Sequence, residues 1–504
     1  MSSQRPSLPV RLPKVKAEGA PDSPAKSKKP RAVKVASYTR AYKHSLAGLN
    51  WSKTEVVLDL FNAYTALAAD LRAQQLKRFF LLGKLDRNAV IEPGKSKIQL
   101  SARYEQTCQY QVVAMLDSWL ALRQEDFKQL VWRSTLDVAM KKELLSINFH
   151  KSWFKPGTRF DAEALRLAQN IMRHLFKVHR LPDVKSINLA LDEKVAKLQA
   201  AEPGSHFPYW LKLSTREAGN PIYLPVSGNA LYSGAGGKRN AFVQLNLSAD
   251  TGLSVALLKE FEQKAYTPKC AQVSIDCGLC VFFATGERDL LGNSIYGRLK
   301  KLDAQVQSCA TGRQRRGLRV RSPKYDALIA KVRGLLECEI GRIFNRLIKR
   351  VAPTEIVLES LDFRDVKLSR RMNRLLRNFG AGVVKDKLTT LSEEYGIVVT
   401  FVPAAYSSQE CPHCHHAQKE NRKSRDLFSC KKCGFTRHAD IVGARNVGTR
   451  RSWPEVKANA VCYLRREAVL SRLRSTHYRW CVQQSKVRKK GSLRAPESGI
   501  ESSA

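Results

Sequence analysis

The chain has 504 residues, 43% of them hydrophobic, which is enough for several buried cores and excludes disorder throughout. Lys and Arg number 87 against 45 Asp and Glu, a formal net charge of +42, and such an excess repels itself unless a polyanion neutralises it. Nucleic acid is therefore the expected partner, and no membrane is expected, because the sequence has no run of about eighteen apolar residues and no strongly amphipathic basic helix.

Residues 1–45 are rich in Pro, Ser, Ala and Lys, with too few large apolar side chains to offset ordering entropy, and read as a disordered basic arm. The N-terminus contains no apolar segment of secretory-signal length, so a cytoplasmic location, or in a eukaryote a nuclear one, is expected. Residues 46–200 read as a helical lobe: Val56, Val57, Leu60, Phe61, Tyr64 and Leu67 recur at helical spacing, as do Val112, Val113, Leu116, Trp119 and Leu120. Lys and Arg lie between these stripes, as in a lobe that grips phosphates, although solvated helix faces would look the same.

Over 201–265 the period changes to two, in Tyr209-Trp-Leu-Lys-Leu-Ser, Pro221-Ile-Tyr-Leu-Pro-Val and Phe242-Val-Gln-Leu-Asn-Leu, so a small antiparallel sheet or barrel is expected. From 266 to 450 strands and helices alternate. Val273–Asp276 and Val281–Ala284 read as a strand or a strand pair turning near Gly278, 325–349 as a long amphipathic helix, and 355–359 and 396–402 as further strands. This order predicts an α/β core, and the whole chain is expected to be multidomain α+β. Residues 451–504 form a basic tail with no assigned chemistry.

Cys411-Pro-His-Cys414 and Cys430-Lys-Lys-Cys433 are two C-x2-C knuckles fifteen residues apart, the spacing that presents four thiolates tetrahedrally to a structural zinc. They define a ribbon over 405–436 within the core. His413, His415 and His416 crowd the first knuckle, so an imidazole could compete for the metal. The third pair, Cys277 and Cys280, has no partner pair and reads as core packing.

Three acids stand out by position: Asp276 in the first core strand, Glu359 at the end of a later strand and Asp440 where the closing helix begins. Carboxylates so placed can converge on divalent ions that activate water and compensate the leaving oxygen of a phosphodiester. Oxygen ligands favour magnesium or manganese.

Five segments, Ile275-Asp276-Cys-Gly278, Ile356-Val-Leu-Glu359-Ser-Leu361, Ser407-Ser-Gln409-Glu-Cys411-Pro-His-Cys414, Cys430-Lys-Lys-Cys433-Gly434 and Ala439-Asp440-Ile-Val-Gly-Ala444-Arg445-Asn446, resemble in order and spacing the signatures of TnpB transposon-encoded nucleases and the related compact type V CRISPR effectors. The motif-bearing resemblance covers about 270–450. It implies a RuvC/RNase H-like core with Asp276, Glu359 and Asp440 as catalytic magnesium ligands and Cys411, Cys414, Cys430 and Cys433 on zinc. It also implies that 46–200 is a recognition lobe, that 201–265 is a wedge-type domain, and that a guide RNA pairs with target DNA. A chain this short admits a homodimer on the RNA. Departures from the pattern are His415 in place of Gly and Val442-Gly443 in place of an Asn.

Two basic stretches suit a nucleic-acid backbone. Arg298, Lys300, Lys301, Arg313, Arg315, Arg316, Arg319 and Arg321 form the first; Arg370, Arg371, Arg374 and Arg377 form the second. The expected function is RNA-guided DNA cleavage. The alternatives are a guided DNA-binding protein that cuts weakly or not at all, and an unguided zinc-ribbon DNA-binding or transposition accessory protein.

Overall fold

A computed structural model of the chain describes residues 36–46, 48–92, 100–185, 187–248, 252–278, 281–287, 289–360, 381–457, 464 and 466–492. Strand β1 (Ser37–Ser45) precedes four helices, α1 (Trp51–Leu82), α2 (Ala102–Arg133), α3 (Val138–Phe149) and α4 (Ala162–Val178). Helix α1 starts where the Asn50 side chain accepts from Lys53 N, and ends at Gly83, whose φ of 68° suits a residue without Cβ. The helices bury Phe79, Trp119, Phe127, Trp153 and Met172 in a core of their own.

Next come β2 (Leu189–Leu191), β3 (Ala196–Ala200), β4 (Tyr209–Leu213), β5 (Ile222–Val226), the short α5 (Ala230–Gly234), β6 (Lys238–Ser248) and β7 (Gly252–Glu262). One antiparallel sheet has the order β1-β7-β6-β2, and β3-β4-β5 is a separate antiparallel meander. Two expected boundaries change. Ser37–Ser45, read as part of the arm, is a strand paired along its whole length with β7, because Tyr38 stacks on Phe261 and His44 packs edge-on against Tyr232. The stretch read as helical to residue 200 ends in β2 and β3, whose Leu189, Leu191 and Leu198 enter the core under the sheets. The helices are thus an insert between two strands of one sheet.

The second half contains β8 (Cys270–Asp276), β9 (Phe283–Thr285), β10 (Leu290–Leu291), α6 (Ile295–Arg315), α7 (Pro323–Val351), β11 (Pro353–Ser360), α8 (Ala381–Tyr395) and β12 (Val398–Pro403). Its sheet has the order β10-β9-β8-β11-β12, with β8, β11 and β12 parallel and β9 and β10 antiparallel. Parallel neighbours need long crossovers; α6 and α7 lie between β8 and β11 and bury Leu299, Leu336, Ile340 and Phe344 against the sheet. The ribbon hairpin β13 (Leu427–Ser429) and β14 (Thr436–His438) follows, then α9 (Ala439–Arg450), α10 (Pro454–Lys457) and α11 (Arg466–Ser492). This mixed helix-and-sheet architecture, with an α/β core carrying a cysteine ribbon, is the fold class expected. Among the described residues no helix is long and apolar enough to cross a membrane.

Candidate active site and metal centre

The register of two parallel strands sets the first two acids side by side. Leu358 pairs with Ile275, so Glu359 and Asp276 are the next positions on neighbouring strands. Ile275 and Leu358 point into the core shared with α6 and α7, and alternation turns Asp276 and Glu359 to the opposite face, toward α9. That helix begins at His438, whose Nδ1 accepts from Asp440 N at 3.3 Å, placing Asp440 in the first turn. Gly443, one turn on, lies directly against Asp276: a Cβ there would stand 2.7 Å from Asp276 Oδ2. Gly448 does the same for Ser274, with 3.0 Å to Oγ. Two glycines on one side of α9 therefore let it approach the sheet closely enough for the three acids to meet in one field.

That field is strained. Burial, then the Glu359 and Asp440 charges, push the Asp276 carboxyl well above the ordinary carboxylate range, and Arg422 offsets part of this. Burial raises Glu359 to about 7, against pulls from the Ser407 hydroxyl, Arg450 and Arg422. Glu359 is 7% exposed, and its Oε1 has no hydrogen-bond partner among the described residues. Arg422, from the ribbon, reaches across to Asp440 Oδ1 at 3.1 Å. An orphaned buried carboxylate oxygen within an all-oxygen donor set fits a hard divalent cation.

The cysteine site is already closed. Among the described residues the four cysteines are the one group of three or more candidate ligands whose donor atoms lie within 4.8 Å of one another. Sγ of Cys411 lies 3.6 Å from that of Cys433, and Sγ of Cys414 lies 3.5 Å from that of Cys430. Zinc–sulfur bonds of about 2.3 Å in a tetrahedron put sulfurs about 3.8 Å apart, so the quartet fits zinc. The neighbouring imidazoles are engaged elsewhere: His415 Nδ1 lies 3.1 Å from Glu410, His416 Nδ1 lies 3.4 Å from Asn421 Nδ2, and His413 faces the Phe435 and Trp480 rings. Cys277 packs against the core as expected, and burial and the nearby acids push its thiol up; Cys280 lies outside the described residues.

A buried network ties ribbon to sheet. Arg450, with no exposed surface, donates to Pro403 O at 2.5 Å, Ala405 O at 2.8 Å and Glu410 Oε2 at 2.7 Å. Asn446 Nδ2 donates to Ser407 O and Glu410 O, both at 2.7 Å. The tail given no chemistry in the sequence becomes α11, which docks on the first knuckle. His477 Nδ1 lies 2.7 Å from Cys414 O, and Arg450 and Arg472 flank the Trp453 ring. Arg422, Arg450 and α11 went unread because each partner lies far off in sequence; the Val442-Gly443 departure was the one local signal for close helix packing.

The first basic stretch lies on α6 and the turn to α7. Arg298 pairs with Glu339 at 2.6 Å, Arg321 with Asp326 at 3.2 Å, and Arg313 Nε donates to Arg319 O at 2.6 Å. Lys300 lies on α6, Lys301 lines a groove of about 510 Å³ between α6 and α7, and Arg315, Arg316 and Arg319 are exposed near the turn. Arg370, Arg371, Arg374 and Arg377 lie outside the described residues.

The α/β sheet thus gathers three acids beside a cysteine cluster able to hold a metal ion, and sequence comparison adds to this. Residues 382–447 match the Cas12f1-like, TNB domain family. InsQ of Escherichia coli (strain K12), which bears the name RNA-guided DNA endonuclease, is 39% identical over 84 residues, 17% of this chain and 21% of InsQ. The CRISPR-associated endodeoxyribonuclease Cas12f1 of Syntrophomonas palmitatica is 22% identical over 162 residues, 32% of this chain and 33% of that protein. The matches thus span a fifth to a third of these relatives. A Cas12f1–sgRNA–target DNA complex overlaps 82% of this chain and 98% of that chain at 13% identity, with a TM-score of 0.40. CasPhi-2 bound to crRNA overlaps 82% of this chain and 98% of that chain at 11% identity and a TM-score of 0.38. The chain is thus similar over residues 382–447 to the Cas12f1-like, TNB domain family, and over short stretches to InsQ and to Cas12f1.

Proposed function

We propose that the protein is an RNA-guided DNA endonuclease that hydrolyses phosphodiesters at Asp276, Glu359 and Asp440. The observation that carries this reading is the adjacency of Asp276 and Glu359 across parallel strands, facing the helix that begins with Asp440. Bound magnesium or manganese supplies Lewis-acid compensation of charge and an activated water. Asp276 and Glu359 hold protons more tightly than free carboxyls and release them when cationic charge enters. Arg422 orients Asp440 and adds a positive charge that a phosphate also attracts. Zinc on Cys411, Cys414, Cys430 and Cys433 fixes the ribbon that carries Arg422. Guide RNA and target DNA are the partners, with Arg315, Arg316 and Arg319 free of the α6–α7 ion pairs to meet a backbone.

The test is to express the gene with its flanking DNA, sequence the co-purified RNA, and assay cutting of a matching duplex with magnesium. One RNA with a constant scaffold, and cutting that Asp276→Ala abolishes while binding persists, supports the proposal. Heterogeneous RNA together with purely salt-governed DNA binding refutes it.

A further inference from the structure

Each cysteine knuckle of the ribbon turns at the residue after its second cysteine, and the two knuckles fill that place differently. The amide of Gly434 donates to Cys430 O at 3.0 Å with φ at 72°, and the amide of His415 donates to Cys411 O at 2.9 Å with φ at 60°. Glycine adopts this left-handed backbone freely, whereas a Cβ makes it costly. The second knuckle therefore carries the residue that suits the turn, and the first carries an imidazole in its place. A residue kept in so unfavourable a conformation points to a use for its side chain.

That side chain reaches Glu410. His415 Nδ1 lies 3.1 Å from Oε1 of this buried carboxylate, whose Oε2 accepts from Arg450 at 2.7 Å. Carboxylate oxygens only accept, so Nδ1 carries the proton of the first bond. The main-chain carbonyl of Glu410 accepts from Asn446 at 2.7 Å. Glu410 thus joins the first knuckle to two residues of α9, one turn apart. Arg450 in turn holds Pro403 O, and Pro403 pairs with Ser360, the residue after Glu359. Asn446 also holds Ser407 O, and the same helix carries Asp440 and sets Gly443 against Asp276.

We infer that His415 and Glu410 are positioning residues that couple the first cysteine knuckle to the three carboxylates, by fixing how α9 seats on the sheet. A Cβ at Gly443 would stand 2.7 Å from Asp276 Oδ2, so the helix already sits at contact distance, and a small shift of it respaces Asp440 from Asp276 and Glu359. The Glu410–Arg450 pair is suited to this work, because desolvation offsets much of the attraction within a buried ion pair while its geometry stays demanding. His415 ties that pair to the turn that carries Cys411 and Cys414. That the carboxylates hold magnesium rests on the function proposed above; the coupling of knuckle to helix does not.

The test follows the full chain, purified with the metal on its cysteines, by hydrogen exchange without magnesium, by melting with and without magnesium, and by single-turnover cutting of the guided complex. His415→Gly is expected to keep the metal content and the melting midpoint, because glycine suits a φ of 60°. Exchange of the α9 amides nevertheless speeds up severalfold, and the magnesium needed for half-maximal stabilisation and for cutting rises about tenfold, with RNA and DNA binding unchanged. His415→Asn restores all of these, since its Nδ2 takes the place of the imidazole Nδ1 and asparagine tolerates the left-handed backbone. Glu410→Gln, which cannot accept from both Arg450 and His415, gives a loss at least as large, and His415→Gly adds nothing to it. Unchanged α9 exchange in His415→Gly overturns the inference. So does a loss that asparagine fails to restore, or one matched by lost metal, which would confine both residues to the ribbon's own fold. If exchange responds as expected but the wild type neither answers to magnesium nor cuts, the coupling stands and the function proposed above falls.

Discussion

The four sulfurs and the three carboxylates are both sets of mutually repelling anions, yet the protein brings them together in opposite ways. Two tight turns on one short ribbon bring the sulfurs within 4.8 Å of one another. The carboxylates come from two strands and a helix, stand further apart than that, and are restrained by protonation and by Arg422. A site built from local turns closes by itself, whereas one built from distant segments keeps an unmet demand for positive charge. The first is suited to structure and the second to chemistry.

The sharpest way to break this comparison is at the carboxylates. Asp276→Ala or Glu359→Gln is expected to lower cleavage by about a thousandfold or more while RNA and DNA binding persist, measured by single-turnover cutting beside a binding assay. Next is the ribbon. Cys430→Ser, or removal of zinc by a strong chelator, should melt residues 405–440 and with them the Arg422 contact, read as lost hydrogen-exchange protection and zinc stoichiometry. If protection survives, the cysteines are not structural.

Gly443→Ala probes the junction of the two sites. Its Cβ would lie 2.7 Å from Asp276 Oδ2, so cleavage should fall about 10- to 100-fold while zinc content stays unchanged. The smallest effect is on the metal-free fold. Glu359 titrates near 7 when folded, against 4.5 ordinarily, so the native state holds a proton that the unfolded chain has lost. Stability is therefore full below about 4.5 and falls, by up to about 3 kcal/mol, as pH rises to about 7. Glu359→Gln should flatten that decline in the melting midpoint, and added magnesium should oppose it in the wild type.

What was legible in the sequence follows the same division. The ribbon could be read because its ligands repeat at fixed local spacing, and Asp276, Glu359 and Asp440 because each ends or starts a strand or helix that announces itself by pattern. The strands Tyr209–Leu213 and Ile222–Val226 were legible from their alternation. The strand character of Ser37–Ser45 was not, since its partner is β7 and nothing local shows the pairing. Arg422, Arg450 and His477 look like ordinary surface residues in the sequence; Asp440, Glu410 and the Cys414 carbonyl give them roles, and only the fold brings those together.

The pairing of Ser37 with Glu262 has a consequence for how the chain is made. At roughly 5–20 residues per second, β1 leaves the ribosome some ten to forty-five seconds before β7 can join it. In that interval the helices between them, with a core of their own, can already be folded. The waiting strand carries Arg40 and Lys43, charges of the kind that keep an open sheet edge from pairing with another chain. The sheet is therefore closed late, around a lobe that is finished first.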